Sequence, residues 1–408
     1  MIGFVALFVL MVLRVPVGMA MGLVGVTGYG YIVGMEPALK MVGQTTMRTV
    51  TDSGFSVIPM FMLMGAFVSV SGVSRELFRA ANAFLGHLRG GLGVATVMAC
   101  GGFAAICGSS VATAATFSKV AYPEMRHYNY PKSFATGVIA AGGTLGIMIP
   151  PSTVLAVYAI LTQQDIGKLF MAGIGPGLLA ILLYVLTIAL IVMIRPGFLP
   201  AGERKIFFVI GGLYGGLFTP SEAGGMGAVG AFLLGVVRLR LSLAQIREAL
   251  LEATRTSAAV FTVLIGALLF GYFLTITQTP QKVTEFLTGL GWSRYALLAI
   301  IMVMYLVLGC LMDAMAMIIL TVPIIYPLIL QLGFDPIWFG VIVVMTVELG
   351  LIHPPVGMNV FVIKSVVPDV SFTTIFRGVI PFVLMDLVRL VILIAFPMIA
   401  LWLPSRMG

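Results

Sequence analysis

The sequence predicts an all-α polytopic membrane protein built from two inverted structural repeats, and three observations lead to that prediction. Of 408 residues, 60% are hydrophobic and 9% are charged, whereas soluble domains have roughly 25% charged residues. Apolar stretches long enough to cross a bilayer recur along the chain. Landmark residues also repeat at a constant spacing. The first observation alone excludes a compact soluble fold, and with it a soluble enzyme.

The positive charge and the cysteines have ordinary explanations in a membrane protein. The formal net charge is +8, but no run of five to eight Lys or Arg residues suggests binding to a polyanion. Cys100, Cys107 and Cys310 have neither a CxxC spacing nor a Cys/His ligand spacing. We therefore expect the three cysteines to pack between helices.

Four landmarks of the first half recur 204 residues later, in the same order. They are Pro16 and Pro220, the Tyr-Pro pairs at 122 and 326, the Leu-Gly pairs at 145 and 349, and the Pro-Pro pairs at 150 and 354. The sequence therefore predicts two repeats, residues 1–204 and 205–408. An odd number of membrane crossings in each repeat would invert the second relative to the first, and we infer that inversion.

Each repeat shows the same order of segments. An apolar stretch interrupted by proline is followed by an amphipathic segment and a spanning helix, which in the second repeat are 241–257 and 260–276. A long apolar helix closes each repeat, near 170–194 and 373–403. We expect the amphipathic segment and the spanning helix to be separate.

Between these segments, each repeat contains two interrupted apolar regions. About 32 apolar residues with small or polar residues at their centre predict a helical hairpin, because one span needs only about 20 residues. A helix broken at a Pro-Pro pair follows. These segments are the hairpins at about 92–123 and 295–327 and the broken helices at about 131–162 and 335–367.

Interrupted helices at matching positions of duplicated halves indicate the binding site of a secondary transporter. Non-helical backbone survives at membrane depth only where it is buried in protein or lines a water-filled cavity. The N-terminal end of a half-helix suits an anion, and its C-terminal end suits a cation such as sodium. Two hairpin tips and two broken helices would supply both kinds of end around one site.

Two carboxylates lie near these breaks. Asp313 lies within an apolar run and corresponds to Ser109 at the 204-residue spacing. An intramembrane carboxylate is costly, so we expect a cation ligand or proton site, with a structural helix cap as the alternative. Glu348 precedes the second break and corresponds to Thr144. It is either a site residue or the partner of a half-helix end.

Other polar residues in apolar surroundings have structural alternatives. Asn359 suits substrate hydroxyls or carboxylates, or an interhelical hydrogen bond. Glu222 is expected to stabilise a helix N-terminus. Asp386 and Arg389 lie three residues apart on one helix face and predict a self-neutralising structural pair or a partner contact.

Three motifs together resemble the large membrane subunit of TRAP (tripartite ATP-independent periplasmic) transporters of the ion transporter superfamily. They are GGTLGIMIPPS at 142–152, FTPSEAGGMGAVGA at 218–231 and ELGLIHPPVGMN at 348–359. The resemblance covers essentially the whole chain. It implies an elevator-type transporter of the bacterial inner membrane, in which a transport domain with both hairpins moves against a scaffold.

The resemblance also implies sodium-coupled uptake of an organic acid, such as a dicarboxylate or sialic acid. A soluble periplasmic binding protein would deliver that acid, and a small four-helix membrane subunit, separate or fused, is expected. Sodium ions would bind at the hairpin tips and facing breaks, here Gly108, Ser109, Thr144, Gly146, Met312, Asp313, Gly350 and His353. Substrate would bind between them, at Ser110, Pro150, Pro151, Ser152, Pro355 and Asn359.

Competing functions fit the sequence less well. The Asp313 context lacks GxGD, and the chain has no HExxH motif and no GxSx serine with a partner histidine, so an intramembrane enzyme is not expected. A channel would need a continuous pore lined by rings of polar groups. The nearest alternative is a single-component sodium- or proton-coupled anion or dicarboxylate transporter of the same superfamily, which needs no binding protein.

Overall fold

The structure, a computed structural model, describes residues 2–200, 242–310, 312–354 and 357–407. Over these residues it contains α-helices and two short 3-10 helices, without β-strands. The helices of the first half are α1 Ile2–Val12, α2 Val17–Val33, α3 Met35–Thr51, α4 Val57–Ser71, α5 Val73–Leu85, α6 Gly91–Cys107, α7 Ser110–His127, α8 Lys132–Met148, α9 Thr153–Thr162 and α10 Ile166–Ile194. The helices described in the second half are α11 Leu243–Ile276, α12 Thr279–Gly289, α13 Arg294–Gly309, α14 Ala314–Gln331, α15 Pro336–Ile352, α16 Met358–Val366, α17 Phe372–Ala395 and α18 Met398–Leu401.

Within the described ranges, six helical segments are long and apolar enough to cross a bilayer. They are Gly54–Ser71, Lys132–Thr162, Ile166–Ile194, Leu243–Ile276, Ala314–Gln331 and Phe372–Ala395. The prediction of an all-α polytopic membrane protein is confirmed over this part of the chain. The inversion of the two repeats stays a prediction.

Four helix interruptions lie in the segments that the sequence singled out. Helix α6 ends at Cys107, two residues before Ser109, which caps α7, and α8 gives way to α9 across residues 149–152. In the second half, α13 ends at Gly309 before α14, and α15 ends at Ile352 before α16. Helix α6 packs against α7, and α13 packs against α14.

The two broken helices form the centre of the core. Every residue of α8 from Phe134 to Met148 is buried, and so is every residue of α15 from Trp338 to Ile352. A helix that is apolar around its whole circumference is a buried helix. Helices α6, α7 and α17 pack around α8, whereas α13, α10 and α17 pack around α15, and α8 also contacts α15 directly.

Helices α2 and α4 both pack on α11 beside this core. Glycine permits the close crossing of α2 and α11: a Cβ atom on Gly18 would lie 2.5 Å from the Cα atom of Val263. A Cβ atom on Gly25 would lie 2.6 Å from the carbonyl oxygen of Leu269. Small residues that let helix backbones approach closely are typical of membrane helix packing.

Two predicted boundaries were wrong. The amphipathic segment and the spanning helix of the second repeat form one continuous helix, α11, because no glycine or proline interrupts the polar stretch near residue 256. In the first repeat, Asp52 caps a 3-10 turn, which separates α3 from α4. The last apolar helix is shorter than predicted, since α17 ends at Ala395 and Pro397 directly precedes the short α18.

The crossing of α8 and α17 should tolerate no side chain at Gly137. A Cβ atom there would lie 2.2 Å from the carbonyl oxygen of Gly378, so Gly137→Ala must push two helix backbones apart. We expect a loss of about 1–3 kcal/mol of stability. Thermal unfolding of the purified protein in detergent measures it.

The matched control is Gly271→Ala in α11, where an added Cβ atom meets nothing within 4 Å of the described neighbours. Alanine favours a helix over glycine by about 1 kcal/mol, so this variant should be as stable as the parent or slightly more stable. Equal melting temperatures for the two variants would contradict the proposed packing.

Candidate functional site

The first break ends α6 and starts α7 with a capped N-terminus. Gly108 is left-handed, with φ +64°, and Ser109 is extended. The Ser109 hydroxyl accepts a hydrogen bond from the backbone N–H of Ala112 at 3.3 Å, and its carbonyl accepts one from the Thr113 hydroxyl at 2.7 Å. The first N–H groups of α7 therefore face the break, where intrahelical partners are lacking.

This break packs directly on the break between α8 and α9. The Thr153 hydroxyl donates to the carbonyl oxygen of Gly108 at 3.3 Å. A Cβ atom on Gly108 would lie 2.6 Å from the carbonyl oxygen of Pro151, and one on Gly146 would lie 2.5 Å from that of Ser109. Predicted sodium residues from two separate segments are thus brought into backbone contact.

The Pro-Pro break itself starts α9 with a serine cap. Ser152 is buried, and its hydroxyl accepts from the backbone N–H of Leu155 at 3.2 Å and donates to the carbonyl of Ile147. Pro150 and Pro151 are half-buried. One serine hydroxyl therefore bonds to both half-helices and bridges the break.

At the second hairpin, Asp313 caps α14. Its Oδ1 atom accepts hydrogen bonds from the backbone N–H groups of Met315 and Ala316, both at 3.1 Å. Asp313 is exposed on the protein surface, whereas the preceding Met312 is buried. The structural alternative weighed for Asp313, a helix cap, is thus present in the structure, and its role toward a cation stays a prediction.

The second hairpin packs on the break after α15, as the first hairpin packs on the break between α8 and α9. A Cβ atom on Gly350 would lie 2.7 Å from the Cα atom of Gly309. The Cys310 thiol donates to the carbonyl of Pro354 at 3.5 Å and lies 3.9 Å from Nδ1 of His353. Gly146 and Gly350, which are 204 residues apart, therefore both sit against the tip of their own hairpin.

Two of the predicted substrate residues meet across the halves. The amide nitrogen of Asn359 in α16 donates to the Ser110 hydroxyl in α7 at 2.7 Å, and it lies 3.4 Å from the carbonyl oxygen of Ala140 in α8. The Ser110 hydroxyl lies 3.0 Å from Oδ1 of Asn359. Both side chains are buried, so Asn359 makes the interhelical hydrogen bond considered as its alternative role.

The Asp386–Arg389 pair was predicted correctly, but it has a third member. Arg389 Nη2 in α17 lies 3.1 Å from Asp386 Oδ1 and only 2.6 Å from Glu348 Oε2 in α15. All three side chains are buried. The Glu348 side chain therefore pairs with α17 and not with a half-helix end, because it lies a full turn before the end of α15 and faces the core. A role for Glu348 at the site stays a prediction.

The triad extends to the first broken helix through a residue that the sequence analysis did not single out. The Tyr184 hydroxyl in α10 donates to Asp386 Oδ2 at 2.7 Å and lies 3.2 Å from the Thr144 hydroxyl in α8. The one available signal was a hydroxyl-bearing ring within the long apolar run of α10. Its partners are 40 and 202 residues away, so no local pattern could identify them.

Three residues that the sequence singled out, Pro220, Glu222 and Pro355, lie outside the described residues. Within the described ranges, no group of three or more His, Cys, Asp and Glu side chains could hold a metal ion.

Comparisons with known proteins agree on one family. Residues 4–399 match the family described as tripartite ATP-independent periplasmic transporter, DctM component. The C4-dicarboxylate TRAP transporter large permease protein DctM of Pseudomonas aeruginosa is 38% identical over 370 residues, which cover 86% of each chain. The sialic acid TRAP transporter large permease protein SiaM of Vibrio cholerae is 30% identical and covers 90% of each chain.

A third relative is the isethionate TRAP transporter permease protein DctMQ of Oleidesulfovibrio alaskensis, which is 34% identical over 98% of this chain and 65% of its own length. Among solved structures, the YdaH transporter of Alcanivorax borkumensis superposes with a TM-score of 0.67, over 90% of each chain and at 14% identity. That likeness shows the fold alone. The sequence matches show more: this multi-pass membrane protein belongs to the family of TRAP transporter large permease subunits, the DctM component.

Proposed function

We propose that the chain catalyses sodium-coupled uptake of an organic acid across the bacterial inner membrane by an elevator mechanism. The observation that carries the proposal is the packing of each hairpin tip on the break of a buried helix, once in each half. That arrangement brings half-helix ends of both polarities together at each pair of breaks. Sodium and a carboxylate are the ligands that such ends suit.

The proposed sodium ligands are those named from the sequence, and their positions support the assignment. Gly108, Ser109 and Gly146 lie in backbone contact at the first pair of breaks. At the second pair, Gly350 lies against Gly309. Both capping bonds of Asp313 use Oδ1, so its second carboxylate oxygen is free of the cap and can serve a cation. Asp313 would then act as cap and ligand at once.

The proposed substrate is an anionic organic acid. Ser110 and Asn359 join α7 of one half to α16 of the other, and each lies in the first turn of its helix. Helix N-termini attract carboxylates, and the amide and hydroxyl can exchange their mutual bond for bonds to substrate. Relatives are named for C4-dicarboxylates, sialic acid and isethionate, which are all acids, and that supports the class of substrate.

Partners and motion follow from the same proposal. We assign α2, α4 and α11 to a scaffold, because α2 and α4 both pack on α11 beside the core, and the helices around α8 and α15 to a transport domain. A periplasmic binding protein would deliver the acid, and a small membrane subunit would join the scaffold. The combined name DctMQ of one longer relative is consistent with such a second subunit.

Uptake by proteoliposomes that contain the chain with its small subunit and binding protein should require sodium. Replacing sodium with choline at constant pH should reduce the initial rate about 10-fold or more, because the anion site depends on the bound cation. Unchanged uptake in choline would reject sodium coupling. Undiminished uptake without binding protein would favour the single-component alternative.

The charge of Asp313 should matter more than its cap. Asn is as good an N-cap as Asp, so Asp313→Asn keeps the capping oxygen and removes only the charge. We expect this variant to raise the sodium concentration for half-maximal uptake about 10-fold, in the range of losing one charged ligand contact. Asp313→Ala should abolish coupled uptake while the protein stays folded and inserted in the membrane.

The matched control is Asp335→Asn at the start of α15. Asp335 is also exposed and caps its helix with Oδ1, through bonds of 2.8 and 2.9 Å from the N–H groups of Ile337 and Trp338. Uptake by the Asp335→Asn variant should show the same sodium dependence as uptake by the parent. Near-normal uptake by Asp313→Asn would leave Asp313 with the capping role alone.

Ser110→Ala should weaken substrate binding without changing sodium dependence. Loss of the hydroxyl removes one neutral hydrogen bond, which corresponds to about 0.5–1.5 kcal/mol, or roughly a 2- to 10-fold higher half-saturating substrate concentration. Ser118→Ala is the control, because Ser118 is a buried serine of the same helix whose hydroxyl bonds only to the Ala114 carbonyl among described residues. Identical substrate curves for the two variants would remove Ser110 from the site.

A further inference from the structure

A network of buried polar side chains connects the two broken helices. It starts at Thr144 in α8, four residues before that helix ends, and finishes at Glu348 in α15, which also has four further helical residues after it. These two residues are 204 positions apart, so they occupy corresponding positions in the two repeats. The network therefore links equivalent points next to the two breaks.

Neighbouring side chains of this network lie within hydrogen-bond or ion-pair distance of each other. The hydroxyl oxygens of Thr144 and Tyr184 are 3.2 Å apart, and the Tyr184 hydroxyl is 2.7 Å from Asp386 Oδ2. Asp386 Oδ1 lies 3.1 Å from Arg389 Nη2, and that same nitrogen lies 2.6 Å from Glu348 Oε2. Four helices, α8, α10, α17 and α15, each contribute at least one member.

Stability alone does not account for these charges. Glu348, Asp386 and Arg389 are at most 1% exposed, and among described residues Glu348 Oε1, Asp386 Oδ1 and the Nε and Nη1 atoms of Arg389 have no hydrogen-bond partner. Asp386 Oδ1 has only its ion pair with Arg389. Desolvating such groups costs several kcal/mol, and well-packed apolar residues are often as stable or more stable in their place. What an ion network supplies instead is a fixed, directional geometry between helices.

We propose that Tyr184, Asp386 and Arg389 are positioning residues that couple the two helix breaks, so that a change at one break alters the other. The meaning of this coupling for transport rests on the proposed function, because the two breaks would then respond together when ions and substrate bind. The coupling itself is a property of the folded chain. It can therefore be measured without transport.

Hydrogen exchange of the purified full-length chain in nanodiscs, in sodium-free choline buffer, tests the coupling. Glu348→Gln keeps the size of the side chain and removes its charge at the α15 end. We expect amides at residues 149–156, beside the other break, to exchange about 3-fold faster, a modest coupling energy for groups in one network. In the Tyr184→Phe background the same substitution should leave their exchange rate unchanged.

Tyr184→Phe interrupts the network of polar side chains without removing packing. It deletes the hydroxyl that joins Thr144 to Asp386, while the ring keeps its edge contact with Phe382 at 5.6 Å between centroids. The control is Tyr130→Phe, since Tyr130 is also buried and its hydroxyl bonds outside the network, to the Pro200 carbonyl at 2.8 Å. In that background the effect of Glu348→Gln should persist in full.

Two results would overturn the proposal. One is an unchanged exchange rate at residues 149–156 in Glu348→Gln. The other is an equal increase in the Tyr184→Phe background, which would mean that the direct contact between α8 and α15 carries the effect. If Glu348→Gln does not fold, Thr144→Val tests the reverse direction, with faster exchange expected at residues 357–363 only when Tyr184 is present.

Sodium-driven uptake gives a second readout. Tyr184→Phe should lower the Hill coefficient for sodium toward 1, while the half-saturating substrate concentration at saturating sodium stays within about 2-fold of the parent. A purely structural role would lower the maximal rate and leave the Hill coefficient unchanged. Failure of sodium coupling would appear in the parent protein as well. The hydrogen-exchange experiment would still decide whether the network couples the two breaks.

Discussion

Backbone N–H and C=O groups find no water in hydrocarbon, and this constraint shapes the whole protein. The chain interrupts four helices, which would expose unpaired backbone groups to lipid. The structure avoids that cost by packing each hairpin tip against the break of a buried helix. Gly146 and Gly350 allow this contact because a side chain at either position would collide with the backbone of the facing tip. The first pair of interruptions is therefore largely buried in protein, whereas Asp313 and Pro354 of the second pair are exposed.

The same constraint produces the candidate site. Once a break is buried, its half-helix ends point at one another, and serine, threonine and aspartate caps satisfy part of them. Ser109, Ser152 and Asp313 each cap the helix that restarts after a break. The remaining ends are fixed dipoles in a poorly solvated place, where they interact strongly with ions. A site made this way needs few charged side chains, which agrees with a chain in which only 9% of the residues are charged.

The breaks could be predicted because glycine, proline and small polar residues within apolar runs act locally. Their positions depend on helix propensity, and that is written within a few residues of each break. The role of Glu348 could not be predicted in this way. Its partner Arg389 lies 41 residues away, and an apolar neighbourhood says only that a charge is present, without its partner. The continuity of α11 was also missed, because a polar segment followed by an apolar one resembles two elements, whereas the backbone has no reason to stop between them.

By itself, the sequence determined that this chain crosses a bilayer, where its helices are interrupted, and to which family its motifs belong. Hydropathy, breakers and motifs are local or linear properties, so one chain suffices to read them. Only the tertiary structure decided which interruptions meet, that Ser110 faces Asn359, and that Tyr184 and the buried triad connect the two broken helices. Those pairings join residues from 40 to about 250 positions apart, and they exist because helix packing, rather than local propensity, brings the side chains together.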